Sequence, residues 1–177
     1  MTTWIGLFRG INVGGNNLLP MPELRENLES LGFKNVASYI QSGNVVFDAP
    51  KGTAASLTRK ILQQIEKQHG FQPHLLLLRP SDLRNAVEAN PFPEARSEPK
   101  TLHFFFLASP PRKPDFPKLS VAQSVREKFH LTDEVFYLLA PEGIGRSKLA
   151  STAEKHLGVV TTARNYRTVE KLMTMIS

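Results

Sequence analysis

The 177-residue chain has no cysteine. Disulfides, thiolate nucleophiles and cysteine-ligated zinc are therefore excluded, and the composition suits a reducing compartment. No apolar run approaches the roughly 18 residues needed to cross a bilayer. The N-terminus lacks the basic and apolar stretches of a secretory leader, because Thr2 and Thr3 lead straight into a strand-like segment. These absences predict a cytoplasmic protein with no membrane partner. Long basic runs are missing too: none exceeds two residues, although the net charge is +6 and the pI about 9.7. Residues 1–90 hold 9 basic and 7 acidic groups, and residues 91–177 hold 13 and 9. A dedicated polyanion binder concentrates its charge, so the even spread favours a mildly basic soluble protein.

Signatures of catalysis are equally scarce. The five histidines, His69, His74, His103, His130 and His156, show no metal-ligand spacing such as His-x-x-x-His. There is no Gly-x-Ser-x-Gly elbow, and Ser42 has no base visible in the sequence. The carboxylates Glu23, Glu26 and Glu29 follow the solvent side of a helix. No metal, cofactor or catalytic residue follows from the sequence, and whether the protein is an enzyme stays open.

Regular hydrophobic periodicity is present. Thr3–Arg9 alternates as a strand, with Ile5 and Leu7 opposite Trp4 and Phe8. A helix begins near Pro22, repeats Leu24, Leu28 and Leu31 on one face, and stops at Gly32. Val36–Ile40 and Val45–Phe47 read as strands joined by the turn Gln41–Asn44. Thr53 caps a second helix with Leu57, Ile61 and Ile65 inward, ending at Gly70, and Leu75–Leu78 follows as a strand. The order β-α-β-β-α-β is the ferredoxin-like plait.

The second half is expected to be a rougher plait. Ser81 caps a short helix that ends at Asn90-Pro91-Phe92-Pro93. Leu102–Leu107 is an apolar strand containing Phe104, Phe105 and Phe106, Pro110–Pro117 is irregular, and Val125–Leu131 and Val135–Leu139 are strands. Ser147 caps a helix through Leu157, and Asn165 caps a last helix through Met175. No internal sequence repeat stands out. The expectation is an α+β fold of two ferredoxin-like halves, residues 1–80 and 81–177, packed into one compact unit. Strands apolar on both faces need covering on both, either by packing of the halves or by self-association.

The segment Arg9-Gly10-Ile11-Asn12-Val13-Gly14-Gly15-Asn16-Asn17 leaves a strand and enters a helix, where backbone N–H groups can hold an anion. Its glycine spacing matches neither the P-loop nor the dinucleotide fingerprint. In a plait the first two strands are parallel with the third between them. The end of strand one and the turn carrying Gln41, Ser42 and Asn44 therefore share an edge. Arg9, Asn12, Gly14, Gly15, Asn16, Gln41, Ser42 and Asn44 are the candidate ligand-binding residues there. Arg164, Asn165 and Arg167 form a second candidate, because arginine pairs bidentately with phosphate or carboxylate. Glu142-Gly143-Ile144-Gly145-Arg146-Ser147-Lys148 is a third, a turn before a capped helix.

Several of these segments resemble a known family. Arg9–Gly15, Pro20-Met21 with Glu23-Leu24, and Tyr39–Phe47 are similar to the bacterial family catalogued as domain of unknown function 1697. So are Asn90-Pro91-Phe92, Gly145-Arg146-Ser147-Lys148-Leu149 and Thr162–Val169, where Tyr166 stands in place of the family's tryptophan. The resemblance implies two plait-like halves in one compact unit and supplies no activity.

Three functions compete on the sequence. The first is binding of a small phosphate- or carboxylate-bearing ligand, such as a nucleotide, at the polar loop edge, with or without catalysis. The second is a nucleic-acid-binding module, disfavoured because Asn44–Phe47 lacks the aromatic stacking motif of RNA-binding plaits. The third is an interaction protein that self-associates through its aromatic sheet faces. Trp4 and Phe8 are expected to be buried rather than to stack on bases.

Overall fold

A computed structural model describes the whole chain, Met1–Ser177. Contacts group it into two units: Met1–Arg84 with Lys171–Ser177, and Asn85–Glu170. Each contains one four-stranded antiparallel sheet.

The first unit runs β1 (Thr2–Arg9), α1 (Met21–Ser30), β2 (Lys34–Tyr39), β3 (Asn44–Ala49), α2 (Ala54–His69) and β4 (His74–Leu78), with sheet order β2-β3-β1-β4. This is the plait expected from the periodicity. Pro22 lies in the first turn of α1, where its missing N–H costs nothing. The Thr53 hydroxyl accepts the Ser56 N–H and the Ser56 hydroxyl accepts the Thr53 N–H, forming a capping box for α2. Gly70 ends α2 in the left-handed conformation. Trp4 and Phe8 pack in the core with Leu24, Leu28, Ile61 and Ile65 from the two helices. With exposures of 5% and 1%, neither ring can stack on a base. Ile5 and Leu7, on the opposite face of β1, are fully buried as well.

The second unit begins within α3 (Pro80–Glu88) and continues through two short 3-10 turns, Pro93–Arg96 and Pro99–Thr101. β5 (Leu102–Leu107), α4 (Phe116–Ala122), β6 (Lys128–Leu131), β7 (Val135–Leu139), α5 (Lys148–Leu157) and β8 (Thr161–Asn165) follow, and α6 (Tyr166–Met175) ends the chain. The sheet order β6-β7-β5-β8 repeats that of the first unit strand for strand. The second half is thus a full plait, more regular than its sequence suggests. One core forms under α4 and α5 from Phe105, Leu119, Phe136, Leu138 and Leu157. On the other face Phe104 stacks on Tyr166, with centroids 5.6 Å apart, and meets Tyr137 edge-on at 4.8 Å. The Tyr137 hydroxyl donates to the Ala86 carbonyl, and both Phe104 and Tyr137 are fully buried.

Four local expectations are corrected. Ser81 does not cap α3, because the helix starts at Pro80 and the Asp82 carboxylate reaches back to the Arg79 N–H at 2.7 Å. The proline-rich stretch gives way to α4, in which Asp115 accepts the Lys118 N–H and Pro117 occupies a first-turn position rather than breaking the helix. The strand expected from Val125 starts only at Lys128, since Glu127 folds back on Ser124. Between the two last helices, where no strand was expected, Thr161–Asn165 forms the edge strand β8.

Candidate functional site

β1 ends at Arg9, and the chain turns through a miniature hairpin. The Asn12 N–H donates to the Asn17 carbonyl at 3.1 Å and the Asn16 N–H to the Val13 carbonyl at 3.0 Å. Gly14 and Gly15 form its two-residue tip with φ of 58° and 75°, the left-handed pair that a tight type I′ turn requires. The Asn12 side chain fixes this hairpin in place. Its Nδ2 donates to the carbonyls of Leu19 and Gln41, both at 2.9 Å, and its Oδ1 accepts the Leu19 N–H at 2.8 Å. Asn17 Nδ2 closes the base on the Gly10 carbonyl at 3.0 Å.

The turn between β2 and β3 meets this loop, as plait topology requires. The Phe8 N–H donates to the Gly43 carbonyl at 2.9 Å, and the Asn12–Gln41 bond ties the two segments directly. Asn44 is wholly buried, and its Nδ2 donates to the Tyr39 carbonyl and the Ser42 hydroxyl, both at 3.0 Å. Asn12 and Asn44 thus spend their amides on the chain itself and hold the edge in shape. Gly14, Gly15, Asn16, Gln41 and Ser42 face solvent, and Arg9 is half-buried.

One feature of this edge is invisible in the sequence. Ile40 sits at φ 49° with half of its side chain exposed. The left-handed region costs a β-branched residue roughly 1–2 kcal/mol, and Gly or Asn would occupy it more easily. Val13 and Leu18 of the hairpin are also exposed, at 66% and 62%. The edge is therefore a pinned polar backbone fringed with apolar side chains.

The second candidate segment lies in the second unit and divides. Arg164 projects from β8 and is buried; desolvation pulls its pKa down to about 10, which still leaves it cationic at neutral pH. Its Nη1 donates to the Ala163 carbonyl at 2.8 Å. Asn165 caps α6 by accepting the Thr168 N–H at 3.0 Å, and Arg167 is exposed beside Glu170, Glu98 and Lys100 on a shallow depression. Arg164 is thus buried and Arg167 exposed, so the two arginines lie in different environments. No group of three His, Asp or Glu side chains converges as a metal site would.

A family model described as "Protein of unknown function (DUF1697)" matches residues 1–137, more than half of the chain. The chain belongs to the DUF1697 family. This DUF1697 protein is also similar, at 26% identity and a TM-score of 0.71 over 99% of each chain, to the solved structure of the conserved bacterial protein SP0830 from Streptococcus pneumoniae. No curated protein matches it. The family description carries no activity.

The third candidate segment of this DUF1697 protein lines a cavity of about 480 Å³ within the second unit. The residues Ser124, Arg126 and Glu127 of its facing wall were not singled out from the sequence, because they sit where a strand was expected. The fold-back at Glu127 places all three on the cavity wall.

Proposed function

We propose that the edge formed by the Gly10–Leu19 loop and the Ile40–Gly43 turn binds a small ligand bearing phosphate or carboxylate together with an apolar part, such as a nucleotide. The observation that carries this reading is Ile40. A strained, half-exposed isoleucine at the rim of a pinned glycine hairpin is costly to the free protein, and such strain gathers at ligand-contacting sites. In this reading Arg9, Asn16, Gln41, Ser42 and the Gly14-Gly15 backbone meet the polar end of the ligand. Val13, Leu18 and Ile40 meet its apolar end, and Asn12 and Asn44 hold the frame. A cysteine-free chain suits the cytoplasm, where such ligands abound. Whether a reaction follows binding is a separate question, and no acid, base or nucleophile of the edge answers it.

The test is a thermal-shift screen of nucleotides and phosphorylated metabolites. A ligand at 100 times its dissociation constant adds about 2.7 kcal/mol of stability. The reading expects at least one hit, lost in Arg9→Ala. No hit in the screen, or hits that survive Arg9→Ala undiminished, would sink it.

A further inference from the structure

The cavity of the second unit lies where plait topology brings two connections together. Lys128 at the start of β6 pairs with Leu139 at the end of β7, so the α4–β6 and β7–α5 connections leave the sheet at one edge. Glu127 clasps them. Its carboxylate, largely buried, accepts the Ser124 N–H at 2.9 Å from one connection and the Ser147 hydroxyl from the other. Ser147 also accepts the Ala150 N–H at 3.0 Å, so α5 is already capped by its own chain. Arg126 and Glu142 pair across the rim at 3.0 Å.

Two cations remain. Arg146 and Lys148 line the cavity, both are exposed, and neither makes an ion pair. Gly145 supplies an independent observation. Its φ lies outside the left-handed region, and a Cβ added there would meet nothing within 4 Å. Neither backbone conformation nor packing calls for glycine at this position. What glycine leaves is room, beside two cations that make no ion pair.

We propose that this cavity is a second anion site, separate from the loop edge of the first unit, and that it takes a phosphate monoester. Arg146 and Lys148 hold the phosphate oxygens, the open space over Gly145 admits the ester group, and the Glu127 clasp keeps the two walls at a fixed separation. The Glu127 carboxylate is spent on the Ser124 and Ser147 donors rather than facing the ligand unscreened. The Arg126–Glu142 pair is neutral as a unit, and Arg146 and Lys148 outnumber the Glu127 carboxylate, which leaves the lining a net charge of +1.

The test is amide chemical-shift mapping of the full chain titrated with inorganic phosphate and with glycerol 3-phosphate, glycerol being the uncharged control. The expected result is saturable shifts at Ser124–Glu127 and Gly143–Lys148 with both phosphates and none with glycerol. Arg146→Ala and Lys148→Ala should each weaken the apparent affinity about tenfold, the loss typical of one charge-assisted hydrogen bond. Gly145→Val should abolish glycerol 3-phosphate binding while leaving the melting temperature unchanged. Absence of shifts in this segment, or affinity unaltered by the two charge removals, would overturn the proposal. Amides of residues 10–17 and 40–43 report the first site in the same spectrum, so either site can fail alone.

Discussion

A methyl group on Gly43 would lie 2.6 Å from Phe8 Cβ and 2.7 Å from Ile11 Cδ1, at a position where φ is 87°. Both contacts are with buried side chains of the first core, and neither has slack to give. Gly43→Ala therefore combines overpacking with backbone strain, and the expected cost is about 3 kcal/mol. Urea unfolding should show it as a lowered midpoint with little change in slope. Gly10, in the facing loop, has open space where a β-carbon would sit, so a side chain there meets strain but no clash and should cost less. The residue types at this edge were legible in the sequence and their division of labour was not. Asparagine and glycine announce left-handed turns, but nothing in their spacing says that Asn12 and Asn44 point their amides at their own backbone. Nor does the sequence mark Ile40, because a β-branched residue is the last one expected at positive φ.

At the scale of elements, β5 carries a buried ionisable group in His103. Desolvation holds its pKa down at about 4, against an ordinary value of 6.5, and Nδ1 has no hydrogen-bond partner. The unfolded chain takes up a proton below pH 6.5 that the folded chain refuses until about pH 4. Stability is therefore full above 6.5, falls as the pH drops between the two values, and levels off below the lower one. The whole effect amounts to about 3 kcal/mol at most. Urea unfolding at pH 7 and pH 4.5 should show a smaller loss for His103→Leu than for the wild type. Equal losses would place the imidazole in water. The elements themselves were unevenly readable. Helices with apolar faces and glycine stops, α1, α2 and α5, are plain in the sequence. β8 is not, because Thr161–Asn165 has no alternation and ends in a helix cap, and only pairing with β5 makes it a strand. α4 hides behind prolines that are breakers in a helix interior and tolerated in its first turn.

For the whole molecule, the repetition of one topology in two units is the main fact, and it is almost silent in the sequence. One trace survives at the ends of α2 and α5: Glu66-Lys67-Gln68-His69-Gly70 and Glu154-Lys155-His156-Leu157-Gly158. In each the glycine N–H donates to the glutamate carbonyl, at 2.8 Å and 2.9 Å, so the same stop is used twice. The loops diverge where the frames agree. The first plait carries a pinned glycine hairpin after its first strand, and the second carries a cationic cavity after its third. Family membership leaves the function of these loops to chemistry. The central claim is that the strain at Ile40 is kept for a ligand, and Ile40→Asn tests it most directly. Thermal melts of this variant and the wild type should be compared with and without the nucleotide that stabilises the wild type. Without ligand the variant should melt at or above the wild type, because asparagine tolerates the left-handed region; with ligand it should show no shift. A variant that melts lower and still responds to the nucleotide as the wild type does would contradict the claim.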